Sequence, residues 1–282
     1  MSAQSRRRLR LGLQTLLGLG ARGFFIPYRY AEGIGAADIQ ADFPELEKLF
    51  ETRRAAFAAW LEAMGRYRDD FASIGEDRPP EPRWNQDWFP RLDAAMAYTL
   101  TREARPRRVV EVGSGHSTRF FARAVRDGGL DTRLTSIDPQ PRATLEGLPI
   151  AFHRETLQRA GTAPFEELAA GDVVFIDSSH ILMPGTDVAV FLGRVLPSLP
   201  KGIHLHVHDV FLPDPYPKSW AWRGYNEQLA ILPLILGGGW EVTFASRFAA
   251  TRMAAEVSES AAGGLPLNAG ALESSLWLKK RA

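Results

Sequence analysis

The chain of 282 residues contains no cysteine. This absence excludes disulfide cross-links, thiolate zinc sites, iron–sulfur clusters and cysteine nucleophiles, so any metal ion would be held by carboxylates, histidines and water. Hydrophobic residues make up 45% and charged residues 24% of the chain, which argues against a disordered or collagen-like protein. The length suggests one large domain or two small ones.

Acidic residues are absent from the first part of the chain. Residues 1–31, here called the basic arm, contain six arginines and no acid, whereas the rest holds 28 basic and 33 acidic residues. The net charge of +1 therefore combines a +6 arm with a −5 body. Because the basic excess is confined to the arm and does not form a broad face, no nucleic-acid partner is expected.

The chain also lacks a long apolar run. Leucines follow the first arginines, but Gln14 and Thr15 interrupt them, and the run is shorter than the ~20 apolar residues of a transmembrane helix. Three interpretations of the basic arm stay open: an amphipathic segment that docks on the rest of the protein, weak contact with an anionic membrane surface, or an export signal. We expect a cytoplasmic protein, with a position at the inner face of a membrane as the alternative, and leave its oligomeric state open.

Apolar residues at spacings of three, four and seven predict one long amphipathic helix over 44–71, with Pro44 in its first turn. A proline-rich linker follows at 76–82, and a second helix is predicted over 90–103. We therefore divide the chain into an arm and helical extension at 1–80 and a main domain at 81–282.

From residue 107 onward, short apolar runs alternate with helical patterns. This alternation predicts an α/β fold with a doubly wound, Rossmann-like sheet covered by helices on both faces. Helices are predicted at 117–127, 165–170, 186–198 and 225–236. The candidate strands lie at 109–112, 134–138, 150–153, 173–177, 203–210, 240–247 and 274–279. Ligands of such sheets bind beyond the carboxyl ends of the strands, so the residues after each strand carry the functional information.

The first strand leads into the sequence Glu-Val-Gly-Ser-Gly-His-Ser-Thr. Gly113 and Gly115 allow a sharp turn close to a ligand, and Ser117 or Thr118 is a candidate cap of the following helix. The third glycine of a dinucleotide fingerprint would fall at Thr118 and is absent, which argues against NAD. Asp138 follows the second strand and is placed to bind the ribose hydroxyls of a nucleoside. The alternative is an aspartate that only caps a helix or a turn.

The fourth and fifth strands end in Asp177-Ser-Ser-His180 and His208-Asp209. If these strands are neighbours, two carboxylates and two imidazoles converge at one edge of the sheet. His204 and His206 lie inside the fifth strand, and we expect local hydrogen bonds to satisfy them.

These motifs together resemble those of class I S-adenosylmethionine (SAM)-dependent methyltransferases. Within that family, the chain is most similar to the branch that includes macrocin-type sugar O-methyltransferases and many small-molecule methyltransferases. The likeness spans roughly residues 85–279. It implies seven strands with the last antiparallel, and SAM lying across the first two strand ends. The implied SAM-binding residues are Glu111, Gly113, Ser114, Gly115, Ser117 and Asp138, with Thr156 or Leu157 beside the adenine.

The resemblance also implies the catalytic residues. Metal-dependent members bind a divalent cation through the first Asp of Asp-x-x-His and the acidic pair after the fifth strand, which gives Asp177, His208 and Asp209 here. His180 becomes the general base, with Asp177 beside it. The chain departs from the pattern at His208, where a carboxylate is usual; because magnesium prefers oxygen ligands, manganese or no metal is the alternative.

An aromatic loop after the fifth strand is the candidate acceptor site for a sugar or another small molecule. It offers stacking surfaces and polar groups, and its candidate residues are Tyr216, Trp220, Trp222, Tyr225 and Asn226. The other interpretation of this loop is an aromatic cluster that only stabilises it. For the whole chain, the alternatives to O-methyl transfer are a nicotinamide-dependent oxidoreductase and a non-catalytic scaffold of the same fold. The acidic body and the lack of a base-flipping motif argue against a nucleic-acid methyltransferase.

Overall fold

The computed structural model describes residues 3–35, 39, 42–75 and 77–282. Two compact units are present, Met1–Ala41 and Asp42–Ala282. The linker predicted at 76–82 begins at Glu76, which lies outside the described residues.

The basic arm opens with helix α1 (Ala3–Leu16). After the helix the chain turns at Gly18, whose φ of +69° lets the amide of Leu19 donate back to the carbonyl of Gln14. The amide of Arg22 then donates to Oγ1 of Thr15, so the chain folds back along the last turn of α1. Every helix within the described part of the chain is too short or too polar to cross a bilayer.

The second unit is built on a seven-stranded sheet. Its strands in chain order are β1 (Arg108–Val112), β2 (Arg133–Ile137), β3 (Ile150–His153), β4 (Val173–Ile176), β5 (His204–Val207), β6 (Trp240–Ala245) and β7 (Leu276–Lys280). Their order across the sheet is β3-β2-β1-β4-β5-β7-β6. The strands from β3 to β5 pair in parallel, and β7 is antiparallel to both of its neighbours. The predicted Rossmann-like fold with an antiparallel last strand is confirmed.

Helices connect the strands and precede the sheet. Those before it are α2 (Pro44–Thr52), α3 (Arg54–Met64), α4 (Arg68–Ala72) and α5 (Arg91–Ala104); those between or after strands are α6 (His116–Asp127), α7 (Leu157–Ala160), α8 (Asp187–Val190), α9 (Glu227–Leu236), α10 (Ser246–Arg252) and α11 (Ala254–Glu259). Helix α8 continues through a π turn and a 3₁₀ turn to Ser198.

The prediction of one continuous helix over 44–71 is wrong. The structure has three helices there: the first break is a turn at Arg53 (φ −97°, ψ −2°), whose Nε donates to the carbonyl of Val242 in β6. A 3₁₀ turn that begins at Gly65, a poor helix former, makes the second break. The helix predicted at 165–170 is also wrong, since only the 3₁₀ turn Ala163–Phe165 forms there.

The apolar stripe of this region nevertheless packs where the pattern suggests. Phe50 of α2 and Phe57 of α3 are fully buried and contact Phe244 and Phe248 edge-to-face. The helices between residues 44 and 72 therefore share one hydrophobic core with the sheet. A domain boundary at residue 80 stays a proposal.

Candidate active site

The turn after β1 presses the backbone of Gly113 against the end of β4. Gly113 has φ +81°, and a Cβ at this position would lie 1.8 Å from the carbonyl oxygen of Asp177. Only glycine fits such a contact, because both the backbone conformation and the space exclude a side chain. Gly115 is less constrained, since a Cβ there would meet only ordinary van der Waals contacts.

Helix α6 begins one residue earlier than predicted, with Gly115 as its N-cap. The prediction of Ser117 or Thr118 as the cap is therefore wrong. Thr118 instead reaches back, and its Oγ1 accepts a hydrogen bond from the amide of Gly115 at 3.0 Å. The side chain thus satisfies one of the amides that the start of a helix leaves without a partner.

Glu111 lies buried beneath this turn and holds it through three hydroxyl groups. Its carboxylate accepts hydrogen bonds from Ser117 and Thr118 of α6 and from Ser136 of β2. Burial raises the pKa of Glu111 to about 7, although the three hydroxyls act to lower it. The residue therefore ties β1, β2 and α6 together at the point where the strands end.

Asp138, at the end of β2, is also turned toward the glycine loop. Its Oδ2 accepts from the amide of Ser114 at 2.7 Å and from the hydroxyl at 3.1 Å. Its Oδ1 accepts from the amide of Gln140 at 2.6 Å. The loop and the carboxylate predicted to bind a nucleoside are thus in direct contact.

The residues after β4 and β5 converge, as expected from the pairing of these strands. Nε2 of His180 lies 3.2 Å from Asp177 and 3.4 Å from Asp209. Nδ1 of His208 lies 3.6 Å from an oxygen of each aspartate. We call these four residues the strand-end cluster.

Three members of the strand-end cluster could hold a metal ion. Ligand atoms of Asp177, His180 and Asp209 all lie within 4.8 Å of one another, the one such group among the described residues. The structure therefore groups His180 with the two aspartates, whereas the sequence resemblance implied His208. Two carboxylates and an imidazole suit a divalent ion of the manganese type better than magnesium.

Glu227, the first residue of α9, was not anticipated. Its side chain is 1% exposed, and its Oε2 lies 2.9 Å from Nδ1 of His180. The backbone amides of Asn226 and Glu227 both donate to the carbonyl of His180. Helix α9 thus fixes the ring and the backbone of His180, and its carboxylate orients the ring so that Nε2 faces the two aspartates.

Asp93 of α5 contacts His208 in the way that Glu227 contacts His180. Its carboxylate, fully buried, lies 3.4 Å from Nε2 of His208 and accepts hydrogen bonds from the amides of Ser274 and Ser275. No sequence motif marks Asp93 or Glu227, because each lies on a helix far along the chain from the strand ends.

The carboxylates set the charge of both imidazoles. Burial would lower the pKa of His180, but Asp177, Glu227 and Asp209 outweigh it and hold this pKa well above its usual value. The pKa of His208 is raised in the same way, since Asp177, Asp209 and Asp93 outweigh burial. Both rings therefore hold a proton at neutral pH when no other cation lies among the carboxylates.

Backbone strain is concentrated at the strand-end cluster. Among the described residues, three that are not glycine have positive φ, and two of them are His180 at +59° and Asp209 at +53°. Such conformations are uncommon for residues other than glycine, although Asp and His adopt them more readily than most, and they persist where surrounding contacts impose them. The two strained residues are those whose side chains meet in the strand-end cluster.

The histidines inside β5 depart from the expectation of local pairing. Nε2 of His206 contacts the hydroxyl of Ser275 at 2.7 Å. Nδ1 of His204 and of His206, however, find no hydrogen-bond partner among the described residues. Burial lowers the pKa of His204 to about 4, with a smaller effect from Lys279, so this ring is neutral in the fold.

The predicted acceptor residues form a cluster of packed rings. Trp220 lies edge-on to Phe211 and Tyr225, and Tyr216 contacts the same two rings. The ring of Tyr225 is 4.7 Å from that of His180, which brings the cluster to the strand-end residues.

Asn226 and Trp222 are placed differently from these rings. The amide of Asn226 bonds to the backbone of Leu182 and so holds the segment that follows His180. Trp222 is 45% exposed. The indole is therefore open to solvent in part, with the guanidinium of Arg223 5.6 Å from its ring, whereas the polar group of Asn226 is already engaged.

Arg223 is a second unanticipated residue of this loop. Its guanidinium lies 3.8 Å over the ring of Trp220 and donates to the hydroxyl of Tyr225 at 3.2 Å. The same nitrogen is 3.9 Å from Asp209. A fixed positive charge thus stands between the aromatic loop and the strand-end cluster.

A cavity of about 720 Å³ lies at the outer edge of the sheet. It is lined by residues 141–148 together with Ile150, Phe152 and Arg154. None of the predicted catalytic or SAM-binding residues lines it, so the size of this cavity does not identify it as the catalytic site. Thr156, predicted beside an adenine, occupies the N-cap position of α7 without a capping hydrogen bond from its side chain, and Leu157 is buried.

Residues 110–210 match a family model described as a methyltransferase domain. The match runs from β1 to just beyond Asp209 and includes the whole strand-end cluster. It confirms the resemblance to methyltransferases over this segment of the chain. None of the curated proteins matches the chain.

Several solved structures are similar to this chain at low sequence identity. A methyltransferase from Podospora anserina with S-adenosylhomocysteine (SAH) bound is 16% identical, with 92% of this chain and 100% of that one covered and a TM-score of 0.41. The O-methyltransferase TomG from Streptomyces achromogenes, in complex with SAM, is 16% identical (79% and 90% covered, TM-score 0.43). A branched-chain polyamine synthase from Thermus thermophilus is 17% identical (77% and 63% covered, TM-score 0.41). At these identities and TM-scores the likeness says nothing about the reaction.

Proposed function

We propose that this chain, whose residues 110–210 match a methyltransferase domain, transfers a methyl group from SAM to a hydroxyl of a small molecule or sugar. The observation that carries the proposal is the strand-end cluster, with Glu227 behind His180, directly beside the loop of Gly113. An acceptor hydroxyl at this edge of the sheet would lie between a proton-accepting imidazole and the region predicted to hold the methyl donor.

The glycine loop and Asp138 fit a bound nucleoside. The turn at Gly113 leaves no side chain between the ends of β1 and β4, so a ligand could approach the backbone closely. The carboxylate of Asp138 accepts three hydrogen bonds, and a carboxylate has about four acceptor positions, which leaves room for a ribose hydroxyl. When bound, SAM supplies an electrophilic methyl group on a positively charged sulfur.

His180 is the proposed base. The acceptor O–H bond breaks and its proton moves to Nε2, while the oxygen forms a bond to the methyl carbon and the carbon–sulfur bond breaks to leave neutral SAH. Glu227 holds the Nδ1 proton and thereby presents Nε2 to the acceptor, as a carboxylate orients the imidazole in a catalytic dyad. Because the carboxylates around His180 raise its pKa, the ring must lose a proton before it can act as a base.

A divalent cation is part of the proposal, with Asp177 and Asp209 as its ligands. Nδ1 of His208, 3.6 Å from an oxygen of each aspartate, would complete the donor set, which leaves Nε2 of His180 free to accept the proton. A cation held there would offset the charge that keeps His180 protonated and would lower the pKa of an acceptor hydroxyl. Chelation with EDTA should lower turnover, and Mn²⁺ should restore it better than Mg²⁺; unchanged turnover after chelation would remove the metal from the proposal.

The first test distinguishes the cofactor. SAH should raise the unfolding temperature of the protein, whereas NAD should not. A stabilisation by NAD alone would favour the nicotinamide-dependent oxidoreductase, and stabilisation by neither would favour a non-catalytic scaffold. Release of SAH from SAM over a panel of hydroxylated small molecules and sugars then identifies the acceptor class.

The second test concerns His180. His180→Ala should lower kcat on the identified acceptor by about 10²–10⁴-fold, the usual contribution of a general base, while SAH affinity stays unchanged. Glu227→Gln, which removes the charge but keeps the shape, should lower kcat less and shift the pH–rate profile to lower pH. Undiminished turnover of His180→Ala with intact SAH binding would refute the role of base.

A further inference from the structure

Large apolar side chains that face solvent are concentrated in the basic arm. Seventeen such residues of the described chain are well exposed, and ten of them lie within the arm: Leu9, Leu13, Leu16, Leu17, Leu19, Phe24, Phe25, Ile26, Tyr28 and Tyr30. Each is 47–76% exposed. Isolated exposed leucines are ordinary, but ten exposed apolar side chains within 22 residues are a concentration of the kind that marks an interaction surface.

Helix α1 arranges part of this apolar surface along one side. Leu9, Leu13 and Leu16 follow one another at spacings of four and three residues, which places them on the same face. Arg6 and Arg10 adjoin that face, since they lie three residues before Leu9 and Leu13. The helix therefore presents an apolar stripe flanked by guanidinium groups.

The turn at Gly18 and the bond from Arg22 to Thr15 extend this surface beyond the helix. The segment that follows contains Phe24, Phe25 and Ile26, then Tyr28 and Tyr30. Aromatic rings with a polar tip are favoured at the boundary between hydrocarbon and water. Arg22 and Arg29 accompany them, so positive charge runs along the whole segment.

We propose that the basic arm lies on an anionic lipid surface, with α1 parallel to the bilayer plane. The leucines and aromatic rings would enter the boundary between headgroups and acyl chains, and the six arginines would face anionic headgroups. Charge complementarity carries this choice of partner, because the arm holds +6 and no acid. The proposal does not depend on the methyl-transfer reaction.

The same charge argues against pairing of two copies through this surface. Two arms face to face would bring twelve guanidinium groups together, and like charges repel across such a contact. A bilayer with anionic headgroups instead suits both the apolar side chains and the arginines of the arm, since it offers hydrocarbon and negative charge within a few ångströms.

The test measures co-sedimentation of the full-length protein with vesicles. We expect binding to phosphatidylcholine vesicles that contain phosphatidylglycerol, weak binding to phosphatidylcholine alone, and a decrease as ionic strength rises. The combined variant Arg6→Gln, Arg8→Gln and Arg10→Gln should weaken binding by about 10²-fold, at roughly fivefold per arginine removed. The variant Leu9→Ser, Leu13→Ser and Leu16→Ser should also weaken it, because insertion of the apolar face is lost.

The matched control is Arg107→Gln, Arg159→Gln and Arg194→Gln, three exposed arginines of the second unit, which should bind as the wild type does. All substituted side chains are exposed, so each variant should unfold at the wild-type temperature. Absence of wild-type binding to phosphatidylglycerol vesicles, or binding that survives both arm variants, would overturn the proposal. So would a wild-type dimer in light scattering that the leucine variant converts to a monomer without any vesicle binding.

Discussion

At Gly113 the backbone conformation and the lack of space together exclude every residue except glycine. A side chain would enter the carbonyl of Asp177 at 1.8 Å and would also have to adopt φ +81°. Gly171, in the turn before β4, has a similar φ of +90° but open space around it. The two positions therefore separate the cost of the backbone conformation from the cost of the clash.

Gly113→Ala should destabilise the protein more than Gly171→Ala. The control should lose about 1–2 kcal/mol of unfolding free energy from its left-handed conformation. Gly113→Ala should lose at least about 2 kcal/mol more, because the strand ends must move apart, and it should also lose SAH affinity. Urea unfolding and SAH titration measure both effects. Equal losses in the two variants would mean that the loop can relax away from Asp177.

His204 makes the stability of the fold depend on acid. Its pKa is about 4 in the fold, below the usual value near 6.5, so the unfolded chain binds more protons between these values. Stability should therefore be unaffected above about pH 6.5 and should fall as the pH decreases toward 4.

His204→Phe should reduce this loss, because it removes the buried group that must stay neutral. Between about pH 7 and about pH 4.5, the unfolding free energy of the variant should fall by about 2 kcal/mol less than that of the wild type. His153→Phe, at a half-exposed histidine, is the control and should follow the wild-type curve. Parallel curves for wild type and His204→Phe would contradict the assignment.

Helix α5 is joined to the segment before β7 by a buried ion pair. Arg91 contacts both carboxylate oxygens of Glu273 at 2.9 and 3.0 Å, and Glu273 also accepts from the amide of Leu92. Their side chains are 15% and 3% exposed. Burial raises the pKa of Glu273 in spite of Arg91, which indicates that the carboxylate is held there at some cost.

Glu273→Ala should destabilise the protein by about 3 kcal/mol, because the nearly buried guanidinium of Arg91 and the amide of Leu92 would lose their hydrogen-bond acceptor. Glu273→Gln keeps an acceptor for both and should lose only about 1 kcal/mol. Glu45→Ala removes an exposed partner of Lys48 and should change stability by no more than about 0.5 kcal/mol. A small effect of Glu273→Ala in urea unfolding would mean that α5 does not depend on this pair.

The helices before the sheet show which features the apolar spacing of the sequence can predict and which it cannot. The pattern over 44–71 correctly predicts which side chains are buried, since Phe50 and Phe57 enter the core. It does not predict the break at Arg53, because that break depends on a carbonyl of β6 almost 190 positions later in the chain. Local spacing determines a buried face, whereas distant partners decide where a helix stops.

The whole chain divides into two units, and the hydrophobic core belongs to the second. Among the described residues, the core side chains begin at Leu46. A chain of residues 42–282 should therefore unfold at the same urea concentration as the full protein and bind SAH with the same affinity, while it loses binding to anionic vesicles. An insoluble or less stable truncated chain would show that the basic arm contributes to the fold.

Sequence alone was sufficient for the α/β fold and for the residues at the strand ends, because in a parallel sheet the carboxyl ends of neighbouring strands lie at one edge. Asp177, His180, His208 and Asp209 could therefore be assigned to one cluster from their positions after two strands. Glu227, Asp93 and Arg223 required the tertiary structure, since they come from helices and a loop whose approach no local pattern encodes. The same holds for the charge of the imidazoles, which burial and three surrounding carboxylates decide only after the chain has folded.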